Sequence, residues 1–119
     1  MTRFTLIALF AVLFGTASSV APITAATHPT IDIVASNWKF TPSSITVPVD
    51  EPTTLRLTSA EGVHGIASKD LGIPDTTILP SRFVTVTFTP HAPGTYVVHC
   101  SVICGAGHAD MALTVNVEK

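Results

Sequence analysis

Residues 84–89 read Val-Thr-Val-Thr-Phe-Thr, a strict alternation of large apolar and small polar side chains. Successive side chains of a β-strand point to opposite faces, so this run predicts a half-buried strand and no helix. The same period of two recurs along the chain. Ile31, Ile33 and Ala35 alternate with Asp32, Val34 and Ser36; Ile45 and Val47 flank Thr46; Leu55 and Leu57 alternate with Arg56 and Thr58. Tyr96, Val98 and Cys100 continue it, and Leu113, Val115 and Val117 stand against Thr114, Asn116 and Glu118. The segments between these runs are rich in turn residues: Thr41-Pro42-Ser43-Ser44, Asp50-Glu51-Pro52, Ile73-Pro74-Asp75 and residues 89–94. Six or seven short strands within about 90 residues predict an all-β domain, an antiparallel sandwich or barrel.

The first 26 residues are of a different kind. Arg3 is followed by an apolar run over residues 4–14 and then by small residues, and no charge appears again until Asp32. A short basic start, an apolar stretch and a small-residue exit predict a secretory signal peptide. Thr24 and Ala26 supply the small side chains before a cut after Ala26, whereas a cut after Ala21 would leave Pro22 next. The alternative is an uncleaved membrane anchor over residues 4–23, which is near the minimum length of about 20 residues for a span. Gly15, Thr16, Ser18, Ser19 and Pro22 make its second half polar and broken, which favours the leader. Either way residues 27–119 are expected as one domain outside the cytoplasm. With Arg3 in the leader, that domain has five basic against eight acidic residues, a net charge of −3. No basic patch exists to bind nucleic acid, and a mildly acidic face suits a basic protein partner.

The chemistry is concentrated in residues 100–111. The only two cysteines, Cys100 and Cys104, are spaced C-x3-C; His108 follows four residues later and Met111 three after that. Thiolate, imidazole and thioether are soft donors that suit copper better than calcium or magnesium. Gly105-Ala106-Gly107 would let the backbone wrap closely round a metal. Two cysteines in an exported protein also read as a disulfide, but a disulfide needs neither His108 nor Met111. A further ligand has to come from elsewhere, and His64, in the glycine-flanked turn Gly62-Val63-His64-Gly65, is the candidate, because a sandwich gathers its loops at its ends. His28 at the frayed start, His91 in a proline-bracketed turn and His99, facing away from Cys100, are expected to be solvated. Trp38 is expected to serve packing only.

The pattern C-x3-C-x3-H-x2-M, with a histidine 36 residues before the first cysteine, resembles the dinuclear copper (CuA) centre of cytochrome c oxidase subunit II. Cys104-Gly105-Ala106-Gly107-His108 is similar to that family's C-G-x-G-H segment, and Pro93-Gly94-Thr95-Tyr96 to its entry into the cysteine loop. The resemblance covers residues 31–117 and implies a Greek-key β-sandwich of the cupredoxin type. It implies that Cys100 and Cys104 bridge two coppers, that His64 and Met111 complete one, and that His108 and the backbone carbonyl of Val102 complete the other. The family commonly has Glu or Gln where this chain has Val102; the ligand there is a main-chain oxygen, so the change is expected to alter reduction potential more than occupancy. Subunit II usually carries transmembrane helices before the domain, and this chain offers only residues 4–23.

Such a centre implies one-electron transfer without catalysis by this chain alone. The electrons would come from a cytochrome c-like donor and pass to the large subunit of a haem-copper oxidase, on the periplasmic or extracytoplasmic side of the membrane. Three other readings stay open. A mononuclear blue-copper carrier would use His64, Cys104, His108 and Met111 and leave Cys100 unexplained. A copper delivery protein would favour exposed methionines, and Met1 and Met111 are the only two. A binding module would keep the cysteines as a disulfide.

Overall fold

The computed structural model describes residues 15–23 and 27–119. The leader or anchor expected over residues 1–26 falls largely on 1–14 and 24–26, outside the described residues. Among the described residues no helix is long and apolar enough to cross a membrane.

Each alternating run forms a strand. β1 (Thr30–Ser36), β2 (Lys39–Thr41), β4 (Thr53–Ser59) and β7 (Val84–Phe88) make one sheet in the order β2-β1-β4-β7. β3 (Ser44–Pro48), β8 (Gly94–His99) and β9 (Ala112–Glu118) make the second, in the order β3-β9-β8. β5 (His64–Ser68) and β6 (Ile73–Ile78) form a separate hairpin. The two main sheets face each other across Ile33, Ala35, Leu55, Leu57, Val86 and Phe88 on one side and Ile45, Val47, Val98, Leu113, Val115 and Val117 on the other, all buried. Removing such side chains from water stabilises the domain by about 1.5–3 kcal/mol for each large one.

Three expectations are corrected. Nine strands form among the described residues, where the apolar pattern marked six or seven. β2 is only three residues long, too short for its alternation to stand out, and β5 opens with three consecutive buried residues, His64, Gly65 and Ile66, so it has no alternating signature. The sandwich is not wholly antiparallel, because β1 pairs with β4 and β3 with β9 in parallel. These parallel pairs arise because the chain crosses between sheets before returning beside an earlier strand. In the first of them Asp32 lies directly opposite Arg56, whose guanidinium donates to both carboxylate oxygens at 2.8 and 2.6 Å and holds Asp32 below its usual range. Finally, Ile73-Pro74-Asp75 is the start of β6 and not a turn. Pro74 is tolerated there because β6 pairs with β5 alone and so is an edge strand.

Candidate metal centre

The donor-rich residues meet at one end of the sandwich, supplied by two elements. The first is β5. His64 is its opening residue and is fully buried, not a ligand in an open turn as the flanking glycines suggest. The preceding turn is held by the buried Ser59, whose hydroxyl lies 2.8 Å from the Glu61 carbonyl and 2.7 Å from that of Gly62. The Glu61 carbonyl in turn accepts from His64 Nε2 at 2.8 Å. A carbonyl can only accept, so Nε2 carries the proton and Nδ1 keeps its lone pair. Nδ1 is buried and has no hydrogen-bond partner within the chain.

The second element is the connection from β8 to β9. Cys100 follows the last residue of β8; its amide donates to the Met111 carbonyl at 3.1 Å, and it bridges to Ile66 of β5. One turn of 3-10 helix, His108–Asp110, brings the chain back to β9. That turn is closed by the His108 amide on the Gly105 carbonyl and the Met111 amide on the His108 carbonyl, both 3.2 Å.

These anchors bring all six expected site residues together. Donor atoms of His64, Cys100 and Cys104 lie within 4.8 Å of one another. The two sulfurs are 3.5 Å apart, well beyond the bond length of about 2.05 Å, so the cysteines are free thiols and not a disulfide. His108 Nδ1 and Met111 Sδ approach Cys104 Sγ at 3.6 and 3.8 Å. The Val102 carbonyl lies 3.1 Å from Cys100 Sγ and accepts from it. Met111 is fully buried, so it serves the core and the cluster at once. His28, His91 and His99 are exposed, as expected, and take no part.

The donor set fits copper. Two thiols, two imidazoles and a thioether are soft or intermediate ligands converging on one small space. The otherwise unpartnered His64 Nδ1 is the lone pair that a metal would take, with its ring orientation fixed from behind by Glu61. Burial, and next the neighbouring Cys100 thiol, push Cys104 from 9.0 up to about 11. Without a cation this thiol holds its proton, and a metal that binds thiolate has to displace it.

One neighbour of the site was missed by sequence reasoning. Trp38, half-exposed in the turn between β1 and β2, donates its indole N–H to the Cys104 carbonyl at 3.0 Å. A Cβ added at Gly107 would lie 2.5 Å from Trp38 Cγ and Cδ2, and one at Gly105 3.0 Å from Trp38 Nε1. The glycines therefore make room for an indole, where the sequence suggested room for a metal. The Gly-x-Gly spacing did signal a close approach, but nothing local could name a partner 66 residues away.

A family model described as a cupredoxin-like domain matches residues 4–115. The chain belongs to the cupredoxin-like family. This cupredoxin-like domain is 30% identical over 90 residues to cytochrome c oxidase subunit 2 of Thermus thermophilus, an alignment covering 76% of the chain and 66% of that subunit. It thus spans just under two thirds of that relative's length. Among solved structures it resembles the periplasmic domain of subunit II of cytochrome oxidase of Bradyrhizobium japonicum, with a TM-score of 0.69 and 21% identity over 76% of this chain and 83% of that one. Auracyanin A, a "blue" copper protein of Chloroflexus aurantiacus, superposes less well: TM-score 0.58 and 20% identity over 76% and 99%. The resemblance to subunit II read from the ligand motif is matched by this sequence relative, and the cupredoxin fold by both structures.

Proposed function

We propose that this cupredoxin-like domain is a one-electron carrier whose centre holds two coppers between the thiolates of Cys100 and Cys104. His64 and Met111 would complete one metal, and His108 with the Val102 carbonyl the other. The observation that carries the reading is the pair of unbonded sulfurs 3.5 Å apart, both within 4.8 Å of a buried imidazole nitrogen. A mononuclear site would leave Cys100 without a purpose, although it is 4% exposed and faces its partner thiol. Copper held by His64, Cys100, Cys104, His108, Met111 and the Val102 carbonyl would supply one-electron redox chemistry, and this chain's part is to hold those donors in place.

The residues of this chain supply rigidity and insulation. His64 is braced by the Glu61 carbonyl, Cys100 by Met111 and Ile66, and Cys104 by Trp38. Donors fixed by hydrogen bonds behind them change position little between oxidation states. If all six donors bind, they would leave no open position for a substrate, in contrast to catalytic metal sites.

The relatives' names support a wider setting. Electrons would arrive from a cytochrome c-like donor and leave to the large subunit of a haem-copper oxidase. The domain, residues 27–119, would work on the periplasmic or extracytoplasmic side, after cleavage at Ala26 or tethered by residues 4–23. N-terminal sequencing of the secreted form separates those two.

Copper content and electron paramagnetic resonance test the centre. Two coppers per chain and hyperfine splitting from two equivalent nuclei are expected; one copper with a single-nucleus spectrum overturns the dinuclear reading. Cys100→Ser is expected to abolish or convert the centre, whereas Val102→Ala should retain copper, since the main-chain oxygen survives. Equal loss in both would falsify the carbonyl ligand.

A further inference from the structure

The segment between the two cysteines is clamped to the β5–β6 hairpin at a place the ligand motif does not include. The Ser101 amide donates to the Gly65 carbonyl at 3.0 Å, and the Ser101 hydroxyl donates to Asp75 Oδ1 at 2.9 Å. Gly65 is buried beneath this crossing. A Cβ there would lie 2.5 Å from Ser101 Oγ, 2.9 Å from Val102 Cγ2 and 3.1 Å from the Thr76 carbonyl. The cysteine loop therefore lies directly on the backbone of β5, one residue beyond the ligand candidate His64.

Asp75 reaches Ser101 because β6 is irregular. The pairing runs Ile66↔Thr76 and then Ser68↔Ile73, so Pro74 and Asp75 together oppose Ala67. Such a bulge bends the strand and re-aims side chains, and bulges are common next to functional sites. The Thr76 hydroxyl, donating to the Pro74 carbonyl at 2.8 Å, fixes the bulge.

We infer that Asp75 and Ser101 are positioning residues: they latch Ser101 to the hairpin, and so set where the Val102 carbonyl, one residue on, stands relative to Cys100 and His64. The hairpin carries His64 at its first residue and holds the cysteine loop through its second and through Asp75. Histidine and carbonyl are thereby referenced to one rigid piece. The role in holding copper rests on the dinuclear reading; the latch itself is a property of the chain.

The test uses Asp75→Ala, Ser101→Ala and Asp75→Asn in the full chain. In metal-free protein, hydrogen exchange at the amide of residue 101 should be about tenfold faster in the two alanine variants, with Leu55 and Leu57 amides unchanged. After copper loading, transfer of copper to a chelator should be about three- to tenfold faster in the same two variants. Asp75→Asn keeps an oxygen acceptor and should stay within about twofold of the parent in both assays. Unchanged exchange and unchanged copper loss in the alanine variants overturn the latch. So does faster exchange at Leu55 and Leu57 to the same extent, which would mean general destabilisation. A parent chain that takes up no copper overturns the proposed function instead, and the exchange measurement then decides the latch alone.

Discussion

The body of the sandwich and its ligand-bearing end are built on different principles. In the body, stability comes from many interchangeable contacts: Leu55, Leu57, Leu113 and Val115 are each fully buried, and any side chain of similar size and polarity could fill much of the same space. At the ligand end single atoms carry the structure. Glu61 O fixes His64, Cys104 O is held by Trp38, Gly65 O by Ser101, and Met111 O by Cys100. A scaffold of the first kind tolerates exchange of residues but not loss of volume. A site of the second kind tolerates almost no displacement.

That contrast can be broken by mutation. The largest effect is expected from Leu57→Ala, which empties fully buried volume and should cost about 2–5 kcal/mol in denaturant unfolding. The surviving folded fraction should still bind copper at the parent stoichiometry; loss of stoichiometry with little loss of stability would mean body and site are not separable. A smaller effect, about 1–3 kcal/mol, is expected from Gly107→Ala, whose added methyl meets the Trp38 ring at 2.5 Å. On a Trp38→Ala background the same substitution should cost much less, because the obstruction is gone. Additive costs in this double-mutant cycle would show that the indole does not constrain the loop.

The smallest effect is one of pH on the metal-free domain. Cys104 is raised from 9.0 to about 11, first by burial and then by the Cys100 thiol. The folded state therefore favours the protonated thiol relative to the unfolded state. That contribution to stability is fully present below pH 9 and is lost as pH rises through about 11. Stability measured from pH 8 to 11 should fall, and should fall less in Cys104→Ser. A flat profile would place Cys104 in a more open environment than its burial indicates.

The body was legible because burial enforces alternation. Val84, Val86 and Phe88, or Leu113, Val115 and Val117, could take no other arrangement and still hide their apolar sides. The ligand set was legible for a different reason: Cys100, Cys104, His108 and Met111 are close in sequence, and few other roles require all four. Legibility failed where neither condition held. Nothing periodic marks His64-Gly65-Ile66, since all three are buried. Pro74 and Asp75 carry turn composition but occupy a bulged edge strand. Trp38 and Asp75 act on the loop across 66 and 26 residues of chain, and only the assembled fold brings them there.

Ile103 is 87% exposed although it lies between the two cysteines in sequence, while Cys100 and Met111 are 4% and 0% exposed. The centre is thus sheathed unevenly, with a full sandwich at its back and one thin loop at its front. Electron exchange weakens steeply with separation, so for the carrier proposed above a redox partner seated on the Ile103 side would meet a lower barrier. One arriving at the far end, near the C-terminal ends of β3 and β9, would face the length of the sandwich. For the carrier proposed above, the thinnest wall would set where electrons cross.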